Sequence, residues 1–223
     1  MPGPVDALVV MAKHPSPGAV KTRLAERVGA GEACELYRAF LADLAARYSA
    51  APWRLVWAVT PADADLSPYV GGAGEQIPQE GDDLGERMRR CFERLHESGA
   101  ERVVMIGADV PHIGEHVIAA AFAALQDRDA VLVPTRDGGY CLIALRAPHD
   151  IFSDVPMGTD AVFARTCARL EALGLRWRAL GESFDVDTLE DVGALHELIA
   201  RGEVALPHTA SVLRAWQAAG WLS

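Results

Sequence analysis

The sequence predicts an α/β fold of three layers, α/β/α, with a mixed and mostly parallel central sheet covered on both faces. Three observations predict it. Short apolar runs rich in β-branched residues recur along the chain, helix-period patterns separate them, and one pair of runs is joined by a turn too short for a crossover. Runs that are apolar without alternation belong to strands buried on both faces, and their interleaving with amphipathic helices marks a parallel sheet.

Strands are expected at residues 7–12, 55–60, 102–107, 130–134 and 140–145, where every run is continuously apolar or β-branched. Helices are expected at 32–48, 84–97, 115–125, 160–173 and 189–199, where apolar residues recur at helical spacing. The helix at 84 opens behind Gly81-Asp82-Asp83, acidic residues that suit a helix N-terminus. The helix at 189 opens behind Thr188 with Asp191 three residues on, a variant of the capping box. Residues 176–180 read as a further strand, and 207–221 as a last helix docking through Leu213, Trp216 and Trp221. Between 134 and 140 only Asp137-Gly138-Gly139 makes the turn, so that pair of strands is expected to be antiparallel. No stretch reads as an inter-domain linker, which leaves one domain over 1–223 with a helical tail from about 207 to 223.

Composition narrows the function. Half the residues are hydrophobic, enough for a large core. The net charge is −10 with no basic tract, which excludes bulk binding to nucleic acid or to an anionic membrane surface. The cysteines Cys34, Cys91, Cys141 and Cys167 form no metal or disulfide spacing and read as buried free thiols. No run approaches a membrane span, and the first apolar run contains Asp6 and lacks a basic leader, so a soluble cytoplasmic protein is expected. In so acidic a chain an anionic substrate needs a local cationic pocket. Of 21 Lys+Arg residues only two are lysines, Lys13 and Lys21, and both fall in one stretch.

In open α/β sheets ligands bind beyond the carboxyl ends of the strands. Behind the first strand runs Lys13-His14-Pro15-Ser16-Pro17-Gly18-Ala19-Val20-Lys21-Thr22-Arg23-Leu24, with three cations and a helix pattern following, a stretch suited to a polyphosphate. It lacks the Gly-Lys step of a Walker A loop, and Gly71-Gly72-Ala73-Gly74 is no dinucleotide fingerprint because no strong strand precedes it. Behind the strand at 102–107 stands Asp109, a hard oxygen ligand aimed into the cleft and suited to Mg²⁺ or Mn²⁺. Asp185 and Asp187 fall on one side of an extended segment and add two more carboxylates. His112-Ile113-Gly114-Glu115-His116 matches the inverted zinc-peptidase pattern, but that chemistry needs both histidines on one regular helix. Pro111 and Gly114 prevent this.

Together these motifs resemble a bacterial family of glycosyltransferase-A-like (GT-A) proteins, formerly of unknown function and described as glycosyltransferases, some linked to arsenosugar biosynthesis. The blocks are residues 13–24, 81–88 (GDDLGERM), 106–111 (IGADVP), 137–140 (DGGY), 158–160 (GTD) and 185–191 (DVDTLED), in the family's order. The chain is more distantly similar to 2-phospho-L-lactate guanylyltransferases and molybdenum-cofactor guanylyltransferases. It departs from the family at Met157, where Trp is common, and at Ala144, where Gly is common.

The resemblance implies a Rossmann-like nucleotide-diphospho-sugar transferase fold and a set of roles. Asp109, with Asp187 or Asp185, would hold Mg²⁺ or Mn²⁺. Ala12, Lys13, Gly18, Lys21 and Arg23 would bind the phosphates, and Leu84, Gly85 and Arg87 would border the nucleobase. Asp137, Gly138, Gly139, Tyr140 and Thr159 would face a small-molecule acceptor, and Lys21, Arg23 and Asp137 would carry the chemistry. Two reactions fit. Glycosyl transfer from a nucleotide sugar uses a base such as Asp137. Nucleotidyl transfer from an NTP to a phosphorylated acceptor releases pyrophosphate and needs no base. The three cations favour the second and the family description the first; glycosyl transfer is ranked ahead, and a non-catalytic nucleotide-binding regulator is the third reading. Exposed tail tryptophans would offer a homodimer contact.

Overall fold

Each strand sends alternate side chains to opposite faces of the sheet, and both sets are apolar. In β1 (Asp6–Lys13), Leu8, Val10 and Ala12 enter one core and Ala7 and Val9 the other. In β4 (Arg102–Gly107), Val104 and Ile106 go with the first set, Val103 and Met105 with the second. This double burial is why the strands read as unbroken apolar runs. The computed structural model describes residues 5–222; residues 1–4 and 223, the ends of the expected domain, lie outside the described residues.

Among the described residues the sheet has seven strands in the order β3-β2-β1-β4-β6-β5-β7. The others are β2 (Arg54–Thr60), β3 (Glu75–Pro78), β5 (Ala130–Pro134), β6 (Tyr140–Leu145) and β7 (Trp177–Ala179). Only β6 runs against its neighbours, pairing antiparallel with β4 and β5, so the mixed, mostly parallel sheet stands as expected. One face is covered by α1 (Thr22–Val28), α2 (Ala30–Tyr48), α5 (Glu115–Ala124), α7 (Leu189–Ala200) and α8 (Pro207–Ala218). The other is covered by α4 (Leu84–Glu97) and α6 (Val162–Ala172). All four cysteines are buried and free.

Two short elements were not expected: α3 (Ser67–Val70) and the edge strand β3. Each has four residues and a single buried one, Val70 and Ile77, too few to show a period. The final helix docks as expected through Leu213 and Trp216, the latter 2% exposed. Trp221 does not enter the core: it is 38% exposed and sits edge-on to Trp216 at 5.6 Å. The docking has a polar anchor as well. Buried Asp43 on α2 accepts the backbone N–H groups of His208 (3.0 Å) and Thr209 (2.8 Å), satisfying donors at the start of α8.

The β5–β6 turn positions one wall of the site. Gly138 has φ +86°, and a Cβ there would lie 2.1 Å from the Asp160 carbonyl oxygen. Gly138 also accepts the Phe163 N–H (2.9 Å), so turn and α6 are clamped together. Gly138→Ala should therefore cost clearly more than the about 1–2 kcal/mol of the left-handed conformation alone. Gly174→Ala, at φ +67° with open space around it, should cost only that amount. Equal denaturant midpoints for the two variants would refute the clamp.

Candidate active site

The carboxyl ends of β1 and β4, the β5–β6 turn and the segment before α7 surround a cavity of about 840 Å³. Three cross-links set its frame. The Ala108 N–H donates to the Met11 carbonyl (3.0 Å), joining the exits of β4 and β1. The Val186 N–H donates to the Asp109 carbonyl (3.0 Å), which brings Asp185 and Asp187 beside Asp109. The Lys13 N–H donates to the Tyr37 hydroxyl (3.0 Å), which pins the start of the cationic loop to α2. Behind Asp187, the expected capping box forms: Asp191 accepts the Thr188 N–H (2.7 Å) and Thr188 accepts the Asp191 N–H (3.3 Å).

At the centre lies Lys21, its side chain 2% exposed. Its ammonium contacts Asp109 Oδ1 and stands 3.0 Å from Asp187 Oδ1. Below it are the rings of Phe40 (5.7 Å) and Tyr37 (6.0 Å). Burial alone would lower the Lys21 pKa; Asp109 and Asp187 more than offset this and hold it above its ordinary value. The two lysines of the loop thus part company. Lys13 is exposed and makes no ion pair among the described residues, whereas Lys21 is engaged by carboxylates and not left free for phosphate. Asp185 is half-buried close to the same charges; its partial burial first, then Asp109 and Asp187, pushes its carboxyl up to about 7.

Unpaired charge is sorted across this centre. Lys13, Arg23 and Arg87 line the cavity from β1, α1 and α4, and make no ion pair among the described residues. Arg87 Nε donates to the Gly81 carbonyl (2.9 Å), which holds its guanidinium at the rim. Leu84, 47% exposed, is the first residue of α4, whose N-cap Asp83 accepts the Glu86 N–H (2.8 Å). Opposite them, Asp137, Gly139, Tyr140, Thr159 and Asp160 line the β5–β6 side. Asp137 Oδ1 accepts the Thr135 hydroxyl (2.6 Å) and the Gly139 N–H (3.1 Å).

Most expected residues therefore meet in one cavity, Ala12 among them, with exceptions. Gly18 lies off the lining with φ +81° on an exposed loop, and Gly138 serves the clamp and not the cavity surface. Gly85 also lies off it: an added Cβ would touch Met157 (3.4 Å) and the Phe152 carbonyl (3.5 Å). Tyr140 presents its ring only, since its hydroxyl is buried. Sequence reasoning missed Tyr37 and Gln79. Gln79 Nε2 donates to the carbonyls of Ala12 (3.2 Å) and Ala58 (2.7 Å), tying the ends of β1 and β2. No local signal marked it, since the strand it follows, β3, is too short to show a period. His112 is no zinc ligand: it precedes α5, stacks on Phe184 at 4.3 Å and meets Ser183 Oγ at 3.0 Å. Burial drives its pKa down to about 4.

For Mg²⁺ or Mn²⁺ the donor chemistry fits. Asp109 and Asp187 already converge on one cation, the ammonium, with Asp185 near. Among the described residues no three such side chains form a closed cage. Mg²⁺ ordinarily takes one or two carboxylates and completes its shell with water and phosphate oxygens. An acid whose folded pKa is raised loses stability as pH climbs from its unfolded value near 4 towards about 7. With divalent cations chelated, Asp185→Asn should thus be more stable than wild type by about 1–2 kcal/mol near pH 8, the gain fading to nothing near pH 4. A pH-independent difference in denaturation would refute the assignment of charge to Asp185.

Residues 41–159 match a family model described as "Uncharacterized protein conserved in bacteria (DUF2064)". Over 180 residues the chain is 31% identical to the phosphoenolpyruvate guanylyltransferase of Sphaerobacter thermophilus, covering 78% of this chain and 86% of that protein. A crystal structure from Desulfovibrio desulfuricans G20, assigned as a nucleotide-diphospho-sugar transferase, superposes with TM-score 0.90 at 31% identity, over 98% of both chains. A CMP:2-keto-3-deoxy-manno-octonic acid synthetase shares the fold at TM-score 0.54 and 15% identity, over 89% of this chain and 99% of that one. Fold, ordered motifs and matched span agree: the chain belongs to the bacterial DUF2064 family.

Proposed function

We propose that this protein is a transferase that uses a nucleotide-activated donor with Mg²⁺ or Mn²⁺, and that it transfers a sugar from a nucleotide-diphospho-sugar to a small acceptor. The observation that carries this reading is Asp137 in the cavity lining, with one carboxylate oxygen held by the turn and the other outside those hydrogen bonds. Lys13, Arg23 and Arg87 bind the donor's diphosphate, and exposed Leu84 packs on the nucleobase. Asp109 and Asp187, with Asp185 beside them, would hold the divalent cation, which would supply charge stabilisation for the leaving diphosphate. The β5–β6 wall receives the acceptor against Asp137, Thr159 and the Tyr140 ring. Asp137 keeps one carboxylate oxygen in its turn, and the other accepts the proton of the acceptor hydroxyl.

A second reading is guanylyl transfer to a phosphorylated acceptor. It is favoured by the relative named phosphoenolpyruvate guanylyltransferase and by the three unpaired cations. There the acceptor phosphate attacks the α-phosphate, pyrophosphate leaves and no base is used. Incubation with nucleotide sugars, and separately with NTPs and phosphorylated acids, distinguishes them by the product, nucleoside diphosphate or pyrophosphate. Asp137→Asn sharpens the choice. Glycosyl transfer predicts a fall in kcat of about 10²-fold or more. Nucleotidyl transfer predicts a change of only about a few-fold.

A further inference from the structure

Asp109 and Asp187 are candidate metal ligands, yet both are already committed to one positive charge. The Lys21 ammonium contacts the first and lies 3.0 Å from the second, over an aromatic floor that gives it no competing hydrogen-bond partner. Its side chain is almost wholly withdrawn from water. A divalent ion on those oxygens would stand within a few ångströms of the ammonium, where like charges repel; the ammonium end of the contact is withdrawn from water, while the Asp109 and Asp187 side chains are 44% and 41% exposed. Free metal therefore has to displace a buried lysine already paired with both carboxylates. A polyphosphate changes this balance. Lys13, Arg23 and Arg87 draw it to the β1 side of the same cavity, and its oxygens offer the long, flexible Lys21 side chain a new partner. The backbone at Lys21 is left-handed (φ 50°, ψ 44°), a conformation uncommon for a residue with a Cβ, and it fixes where the side chain enters the cleft.

We propose that Lys21 is a built-in counter-ion that closes Asp109 and Asp187 to free divalent cations, so that the cleft takes metal and nucleotide together, as a chelate. The inference rests on the nucleotide reading above for the second half of that statement and on the ion-paired geometry alone for the first. It makes Lys21 the residue that decides the form of the ligand, and it explains why the position carries a compact ammonium and not the wider guanidinium used almost everywhere else in the chain.

The test is Mn²⁺ titration of the chelator-treated full chain, with protein-bound Mn²⁺ counted as the metal retained with the protein on ultrafiltration, against a protein-free nucleotide control. It is run without nucleotide and then with GTP, CTP or UDP-glucose. Two variants remove the charge: Lys21→Gly, which the left-handed backbone accepts, and Lys21→Met, which keeps an apolar stem over Tyr37 and Phe40. Folding of each is checked by circular dichroism. Without nucleotide, both variants should bind Mn²⁺ about tenfold or more tightly than wild type. Wild type should gain bound Mn²⁺ only when a nucleotide is added. Tight Mn²⁺ binding by wild type alone overturns the proposal whether or not the variants fold, and so does equal affinity in wild type and variants. If the variants gain Mn²⁺ while no nucleotide promotes binding to wild type, the counter-ion stands and the nucleotide reading falls.

Discussion

The ion triad of buried Lys21 with the half-buried Asp109 and Asp187 is the interaction on which the site depends. An ammonium withdrawn from water is costly unless carboxylates face it, and a buried pair is strongly destabilised when one partner is lost. Here one partner follows β4 and the other lies 166 residues further along the chain than Lys21. The triad therefore ties the loop behind β1, the exit of β4 and the approach to α7 to a single point. Ordinary backbone bonds reinforce it, from Ala108 to Met11 and from Val186 to Asp109. The charge pattern of the cavity is arranged around that point, with unpaired cations on one side and unpaired carboxylates on the other.

The scaffold makes such a centre sustainable. A sheet covered on both faces leaves its strand ends as the place where backbone and polar side chains can gather without breaking the core. The β1 and β4 strands are parallel neighbours, so their carboxyl ends open on the same edge. The reversed β6 brings its turn to that edge too, and Gly138 presses the turn against the Asp160 carbonyl. On α2, which also carries Tyr37 and Phe40, Asp43 fastens α8 by its backbone N–H groups, so the tail is held by a polar anchor as well as by Leu213 and Trp216.

Much of this was legible in the sequence because period and strand-end position are local properties. The runs at 102–107, 130–134 and 140–145 became β4, β5 and β6 without revision, and the short Asp137-Gly138-Gly139 turn announced the antiparallel pair. The elements that escaped, α3 and β3, are too short to carry a period. Gln79 escaped with them, since its role is to bridge two strand ends brought together by the sheet. Gly18 and Gly138 were legible as turn residues but not as residues off the cavity lining, because which side of a loop faces inward is settled by packing.

By itself the sequence determined the layered sheet, the edge at which chemistry gathers and the residue types gathered there: lysines and arginines behind β1, aspartates behind β4 and before α7. Hydrophobic period, turn length and side-chain charge are carried by neighbours in the chain, so they can be read from it. The pairing of those charges was decided only by the tertiary structure. Lys13 and Lys21 look equivalent in one loop, yet one is left in solvent and the other is buried between two aspartates. The difference arises because Coulomb energy and desolvation depend on distances between residues far apart in sequence, and those distances exist only once the chain has folded.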